Sequence, residues 1–391
     1  MKRFSILGCI AAALVTLAGC EPSGNTDYLG TNYIYLSSEA GKTTLLGASD
    51  DVINLNVSLS SALKKDLVLN FEVEGTNSSA IELIGNPVTI PAGSKTASFT
   101  VSVDSTDGLT EKANNFKVSL NDAVELPEAV VYMSDFSFVV VVLPIPDLTA
   151  EQNNIVNRYL STTGINLAEY LGEVNVTVEY TGFDNENEVP LDPVTFTDKS
   201  IITLSEESTE ELPVLKMIYN PMGIQDKMYE TLRSVTVEDS EYWTNAEYYP
   251  VNTALMEKIS WNANSQESFL TTLDGIKVNA DKTVEFLGTG ADQYGDEIII
   301  VPFSYDFTAY NRELLLSDEE IGRDENTLDA TANPAFHLNN YGVEEDYLEY
   351  GNWVEAEASI SAEALTFTFC VYMCANDYDY TKIVATYTPN N

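Results

Sequence analysis

Histidine is almost absent from this 391-residue sequence, in which His337 stands alone. That excludes a H-E-x-x-H helix and any three-histidine zinc site, because each needs several imidazoles around one ion. No G-x-S-x-G elbow is present, and a Ser-His triad would have to use His337. "AFHLNN" therefore reads as an ordinary loop or partly buried histidine. Positive charge is scarce too. Only 19 Lys and Arg stand against 61 Asp and Glu, for a formal net charge of −42. Such a field repels phosphate backbones and anionic lipid, so nucleic acid and the bare membrane surface are excluded as partners, and neutral ligands or divalent cations are favoured. Four cysteines are too few for a disulfide scaffold. Cys370 and Cys374 lie in "LTFTFCVYMCANDY", which reads as a strand. At about 3.3 Å per residue they stand some ~13 Å apart, beyond bridging distance unless a bulge or turn begins near Met373. Beyond the first 19 residues, no apolar stretch approaches the roughly 20 residues of a membrane span. Yet 44% of residues are hydrophobic, so this is a folding chain rather than a disordered one.

The apolar stretch that does exist comes first. Lys2 and Arg3 precede an uncharged run from Phe4 to Ala18, the layout of a secretory signal. It ends in Leu17-Ala18-Gly19-Cys20, which resembles the lipobox of bacterial lipoproteins. The resemblance implies removal of residues 1–19, acylation of Cys20 with palmitate-type chains, and a cell-envelope location, on the outer membrane, with the leaflet left open. Acyl chains anchor at about 0.8 kcal/mol per buried methylene, without a spanning helix. Residues 20–30, rich in Ser, Gly, Asn and Asp, form a tether.

From residue 31 to 145 short alternating strands follow one another. "VINLNVSLS" sets Ile53, Leu55, Val57 and Leu59 on one face; "TASFTVSV" sets Ala97, Phe99, Val101 and Val103 on one face; "LVLNFEV", "FKVSL" and "FSFVVVVL" continue the series. Glu74-Gly75-Thr76, Gly85-Asn86-Pro87 and Pro91-Ala92-Gly93 supply turns. The pattern predicts a β-sandwich. Phe71 to Leu120 further resembles a Calx-beta domain, through Val73-Glu74-Gly75-Thr76, the pair Val88–Gly93 and Ala97–Val101, and the acidic loop before Phe116-Lys117-Val118. The resemblance implies an Ig-like fold, with Asp104 and Glu111 where that family holds calcium and Asp107 nearby. Asn114-Asn115 and Ser78-Ser79-Ala80 replace acids and an Asp-Tyr of the pattern. Calcium needs six to eight oxygens, so the loop is expected to be solvated and to hold no cofactor, with calcium kept as the less favoured alternative.

"LPIPDLTAEQ" marks a boundary. Pro144 and Pro146 stiffen the connection, and Thr149 with Gln152 fits a capping box opening a helix whose Ile155, Val156, Tyr159 and Leu160 share a face and which Gly164 ends. Residues 148–391 read as a β-rich α+β domain, a sandwich or lipocalin-like barrel with a few short helices. "VNVTVEY", "VLKMIYN", "GIKVNADKTVEF" (with a hairpin loop from Asn279 to Lys282) and "DEIIIVPFSYDF" are strands, "ALTFTFCVYM" and "KIVATYT" a closing hairpin, and Ile224, Met228 and Leu232 one helical face. The whole layout resembles the uncharacterised surface lipoproteins of Bacteroidetes.

No catalytic motif survives inspection. Gly41-Lys42-Thr43 tempts a P-loop reading, but Leu36 stands where the first glycine belongs. "GTGADQ" lacks its third glycine, and "DNENEVPLD" has Val189 in place of an EF-hand glycine. Aromatic clusters are the more suggestive feature. Tyr242, Trp243, Tyr248 and Tyr249 crowd in "DSEYWTNAEYYP"; Tyr347, Tyr350 and Trp353 crowd among amides and acids in "NYGVEEDYLEYGNWVE". Such rings either fill a core or offer faces to sugars and partner proteins. The favoured expectation is a non-enzymatic binding or adhesion module for a glycan or another envelope protein. A carbohydrate-active hydrolase with paired carboxylates and a structural envelope spacer remain as alternatives.

Overall fold

The computed structural model describes residues 30–47, 50–184, 189–241, 243–265, 267–291, 296–338, 353–372 and 380–390. The protein is mainly β. The first unit is a sandwich of two sheets. One contains β1 (Asn32–Ser38), β3 (Val52–Leu59), β6 (Ile81–Ile84), β8 (Thr96–Val103) and β10 (Val130–Tyr132), in the order β10-β1-β3-β8-β6. The other contains β2 (Thr44–Leu46), β5 (Phe71–Glu74), β9 (Lys112–Leu120) and β11 (Phe136–Val142), in the order β2-β11-β9-β5. A small pair, β4 (Leu67–Leu69) with β7 (Val88–Ile90), completes it. Alternation decides the core, as expected. Ile53, Leu55, Val57 and Leu59 are buried, and Phe99 and Val101 meet them from β8. Ala97 and Val103 are only partly buried against the same core. Gly75 has φ 142°, and a Cβ there would lie 2.6 Å from the Phe116 ring, so the turn after β5 requires glycine.

The outward residues of the three inner strands of the five-stranded sheet have an unusual chemistry for so acidic a chain. They are Tyr33, Tyr35 and Ser37 on β1, then Val52, Asn54, Asn56 and Ser58 on β3, then Thr96, Ser98, Thr100 and Ser102 on β8. None is charged. The outward face of the four-stranded sheet differs. From Phe138 to Val142 β11 is a continuous apolar run, and both of its faces are covered: Phe138 and Val140 enter the sandwich core, while Val139 and Val141 point the other way.

The second unit opens with α1 (Ala150–Thr163). Thr149 and Gln152 form the predicted capping box, and Gly164 closes the helix at φ 78°. Ile155, Val156 and Tyr159 are buried, but Leu160, expected on the same face, is 39% exposed. The strands that follow are β12 (Gly172–Thr181), a small hairpin of β13 (Phe183–Asp184) and β14 (Val189–Pro190), β15 (Val194–Leu204), β16 (Val214–Tyr219), β17 (Phe269–Val278) and β18 (Val284–Glu285). β19 (Gly288–Ala291), β20 (Glu297–Ile300), β21 (Ser304–Phe307), β22 (Glu357–Ile360), β23 (Leu365–Tyr372) and β24 (Tyr380–Tyr387) complete the set. "DEIIIVPFSYDF" is thus two short strands rather than one, broken at Pro302, whose nitrogen donates no ladder hydrogen bond.

The main sheet runs β18-β17-β16-β15-β12-β24-β23-β22, antiparallel throughout. A bridge from Thr283 to Ser359, and a 3.1 Å bond from the Ile360 N–H to the Lys282 carbonyl, bring its two ends together. The result is a nearly closed barrel whose strands neighbour one another in chain order, so the barrel is the alternative realised for the C-terminal unit. Its interior is packed with side chains, among them Val176, Leu215, Met217, Phe367, Phe369 and Tyr387. Short helices line its flank: α2 (Gln225–Ser234), α3 (Pro250–Lys258), α4 (Thr308–Glu313), α5 (Asp318–Ile321) and α6 (Pro334–Leu338). Ile224, Met228 and Leu232 are buried, as their spacing predicts. Trp261, which follows α3, is completely buried with its ring 5.0 Å from that of Phe307. No described helix is long and apolar enough to cross a membrane.

Candidate functional site

Sandwich and barrel meet through a junction built from both. Leu46, Val139 and Val141 of the sandwich pack on Ile201 and Tyr219 of the barrel. Beside this apolar contact lies a tight turn, Asn220 to Gly223, pressed against β12. Asn220 and Met222 take positive φ values of 44° and 59°. A Cβ on Gly223 would lie 2.7 Å from Val178, so only glycine fits. Hydrogen bonds hold this costly backbone in place: the Asn220 side chain accepts from the Gln225 N–H (3.0 Å) and donates to the Lys199 carbonyl (3.0 Å), and Tyr387 Oη accepts from the Met222 N–H (2.8 Å).

The charged part of the junction comes from the segment that tempted a P-loop reading. The Lys42 ammonium sits between the Asp51 carboxylate of its own unit, at 2.6 Å, and that of Asp198 on β15. Next to it the Asp226 carboxylate, in the first turn of α2, accepts the backbone N–H groups of Thr43 and Thr44 (3.0 and 3.3 Å) and their hydroxyls (3.2 and 2.8 Å). Lys199 makes a second, more exposed bridge, to Asp50 at 2.6 Å and Glu173 at 3.1 Å. Burial pushes the carboxyls of Asp198 and Asp226 above the usual carboxylate range. Burial alone would lower the Lys42 pKa, but Asp198 and Asp51 outweigh it and raise it. Gly41-Lys42-Thr43-Thr44 is therefore a latch: its lysine and hydroxyls hold carboxylates of the other unit, where a P-loop would hold phosphate. A cleft of about 570 Å³ opens alongside, lined by Asn54, Asn175, Thr195, Thr197 and Lys199 among others.

The aromatic residues singled out in the sequence divide. Tyr248 and Tyr249 are exposed, by 69% and 37%. Trp243 is partly buried against the barrel core, with its ring edge-on to His337 at 5.1 Å. Trp353 is also partly buried, and the indole N–H groups of both tryptophans are buried with no hydrogen-bond partner among the described residues. Tyr242, Tyr347 and Tyr350 lie outside the described residues, as do Cys20 and Cys374. Cys370 is a buried free thiol, and burial pushes its pKa up to about 11. His337 faces the Thr331 carbonyl at 2.8 Å, and burial lowers its pKa to about 4, so its Nε2 carries the proton and donates. Asp104, Asp107 and Glu111 are all exposed, and no described group of three or more His, Cys, Asp or Glu is arranged to hold a metal ion.

Sequence comparison places the chain. The model of a domain of unknown function, DUF8472, matches residues 146–388, which is most of the chain. The chain belongs to the DUF8472 family. In this DUF8472 protein, residues 28–145 match a second domain of unknown function, DUF4929. No curated protein matches the chain. Solved structures similar to it include the CupB2 chaperone of Pseudomonas aeruginosa, at 8% identity, 46% of this chain, 91% of that one and a TM-score of 0.20. They also include the Salmonella enterica SafA pilin in complex with the SafB chaperone (14%, 49%, 92%, 0.20) and the calcium binding domain CBD12 of CALX1.1 (13%, 53%, 90%, 0.21). At those scores the likenesses carry no argument about this DUF8472 member.

Proposed function

We propose that the protein is a lipid-anchored envelope protein of the Bacteroidetes type, acting as a non-enzymatic binding or adhesion module with glycans as ligands. The exposed pair Tyr248 and Tyr249, at the entry to α3, carries the reading. Two neighbouring phenol rings left in solvent present flat apolar faces with polar tips, the combination that sugar rings and partner surfaces both engage. Binding is favoured over hydrolysis because the junction carboxylates are already engaged. Glycoside cleavage needs one carboxyl free to protonate the leaving oxygen and a second about 5–9.5 Å away, whereas Asp51 and Asp198 grip Lys42 and Asp226 accepts four hydrogen bonds. The anchor rests on Lys2-Arg3, the apolar run and the Leu17–Cys20 tetrapeptide.

A glycan array with the full chain tests the binding reading. Tyr248→Ala with Tyr249→Ala is expected to lose the signal at an unchanged melting temperature. An array without signal, or a signal indifferent to both substitutions, sinks it. For the anchor, labelled palmitate is expected in the wild type and absent from Cys20→Ala; equal labelling removes the lipoprotein reading.

A further inference from the structure

We propose that the outward face of the five-stranded sheet is a second binding surface, for an extended, uncharged polysaccharide. The inference rests on the binding-module reading but uses a part of the molecule remote in sequence from Tyr248 and Tyr249. In a chain with a net charge of −42, the outward positions of three adjacent strands, β1, β3 and β8, are all uncharged. Carboxylates stand around the rim, among them Glu39, which accepts from Asn54 at 3.0 Å, Asp50 just before β3, and Glu82 on the edge strand β6. The face is dominated by Ser, Thr and Asn, each of which both donates and accepts, as a sugar hydroxyl does.

The polar groups are partly held in place. Thr100 donates to Asn54 across the strands at 3.1 Å, which in turn is fixed by Glu39, so less rotamer freedom is lost on binding. Tyr33 and Tyr35, with ring centroids 6.3 Å apart, stand at one side, Tyr35 43% exposed, and offer aromatic faces to sugar C–H groups. Outward side chains recur every ~6.7 Å along a strand and about 4.8 Å across strands. This flat lattice of contacts suits a long chain better than a small ligand. The face ends where Asn54 reaches the junction cleft, whose lining is charged, with Asp50, Asp51, Asp198 and Lys199 among its residues. An anionic chain would meet the repulsion of the rest of the molecule. A second copy of this chain is a poorer occupant, because the core of a homodimer interface is about 65% apolar.

Affinity electrophoresis of the full chain through gels containing dextran, glycogen or galactomannan, with alginate as the anionic control, decides the matter. At least one neutral polymer is expected to retard the wild type and alginate to leave it unretarded. Tyr35→Ala and Ser98→Glu are expected to weaken the retardation at least tenfold while melting as the wild type does. Retardation lost in Tyr248→Ala but intact in Tyr35→Ala and Ser98→Glu overturns this inference and leaves the Tyr248 platform standing. No retardation by any neutral polymer overturns it outright. So does a wild-type dimer, seen by sedimentation, that Ser98→Glu dissociates without any glycan binding, since the face then belongs to a second copy.

Discussion

The two outer faces of the sandwich are separated by a single core, yet they are chemically opposed. One presents Leu46, Val139 and Val141 and is consumed by the barrel; beside it Lys42, Asp51, Asp198 and Asp226 satisfy one another across the junction. The other presents hydroxyls, amides and tyrosines and is left to solvent. The same division recurs on the barrel side, where Trp261 is completely buried, Trp243 half-covered and Tyr248 largely exposed. The difference teaches where to look for function. Buried charge and apolar runs here are already committed within the molecule, and the proposed binding surface is the uncharged face that is left uncommitted.

The comparison breaks first at Lys42. Its side chain is 14% exposed, and those of its partners Asp51 and Asp198 are 5% and 10% exposed. Lys42→Met strands two buried carboxylates and is expected to cost about 3–5 kcal/mol, read as a fall in denaturation midpoint that Lys42→Met with Asp198→Asn partly recovers. On the bare face Ser98→Glu is expected to stay within about 0.5 kcal/mol of the wild type. Equal losses from the two would erase the distinction between committed and free faces.

Tryptophan offers the next contrast. Trp261→Ala is expected to destabilise by about 3–5 kcal/mol, the range for emptying a fully packed aromatic site. Trp243→Ala should cost clearly less, because that ring is only partly covered. Chemical denaturation of the two variants measures the gap, and a greater loss at Trp243 would reverse the assignment of which indole is structural.

His337 sharpens the picture by pH. Its folded pKa, about 4, lies below the unfolded value of 6.5, so the folded state binds fewer protons than the unfolded one. The stability it contributes is complete above pH 6.5 and is lost as pH falls through 4, at most about 3 kcal/mol in all. Being the sole histidine, it gives one imidazole resonance to follow by NMR. His337→Gln should flatten the acid slope between pH 6.5 and 4, and a midpoint near 6.5 in the folded protein would refute the burial argument. The smallest effect is expected at Asp104, Asp107 and Glu111: millimolar calcium should leave the melting temperature unchanged, and a rise of several degrees abolished by Glu111→Gln would restore a calcium site there.

Local patterns announced local structure. The alternation of β3 and β8, the Thr149–Gln152 box, Gly164 and the Asn279–Lys282 turn each follow from a few neighbouring residues, and so does the 3.6-residue spacing of Ile224, Met228 and Leu232. What stayed hidden depends on residues far apart. Lys42 meets Asp198 and Thr43 meets Asp226 only once the two units dock, and nothing near Gly41 foretells either acid. One signal was available. The unbroken Val139–Val142 run marks a strand covered on both faces, and hence a second layer on the sandwich. Trp261 escaped notice because "KISWNANS" shows neither period; its burial is set by Phe307, almost fifty residues later. Leu160 misled in the opposite sense, since helical spacing places it near the buried stripe but does not fix how wide that stripe is.

The seam between β12 and β24 has a consequence for how the molecule comes into being. It pairs Val176 with Tyr387, Val178 with Ala385 and Tyr180 with Ile383. The strand that opens the barrel therefore waits for the one that seals it, across some two hundred intervening residues, and loop closure over that span must precede its reward. A ribosome emitting this chain completes every sandwich strand while the barrel is still an open sheet with an unpaired edge. During that interval β12 is the vulnerable segment, a strand with no neighbour on one side and every reason to find a wrong one. Pulse-labelled hydrogen exchange during refolding should find the β12 amides that bond to β24 protected together with those of β24, and later than the β12 amides that bond to β15; equally early protection of both sets in β12 would contradict a barrel sealed by its final strand.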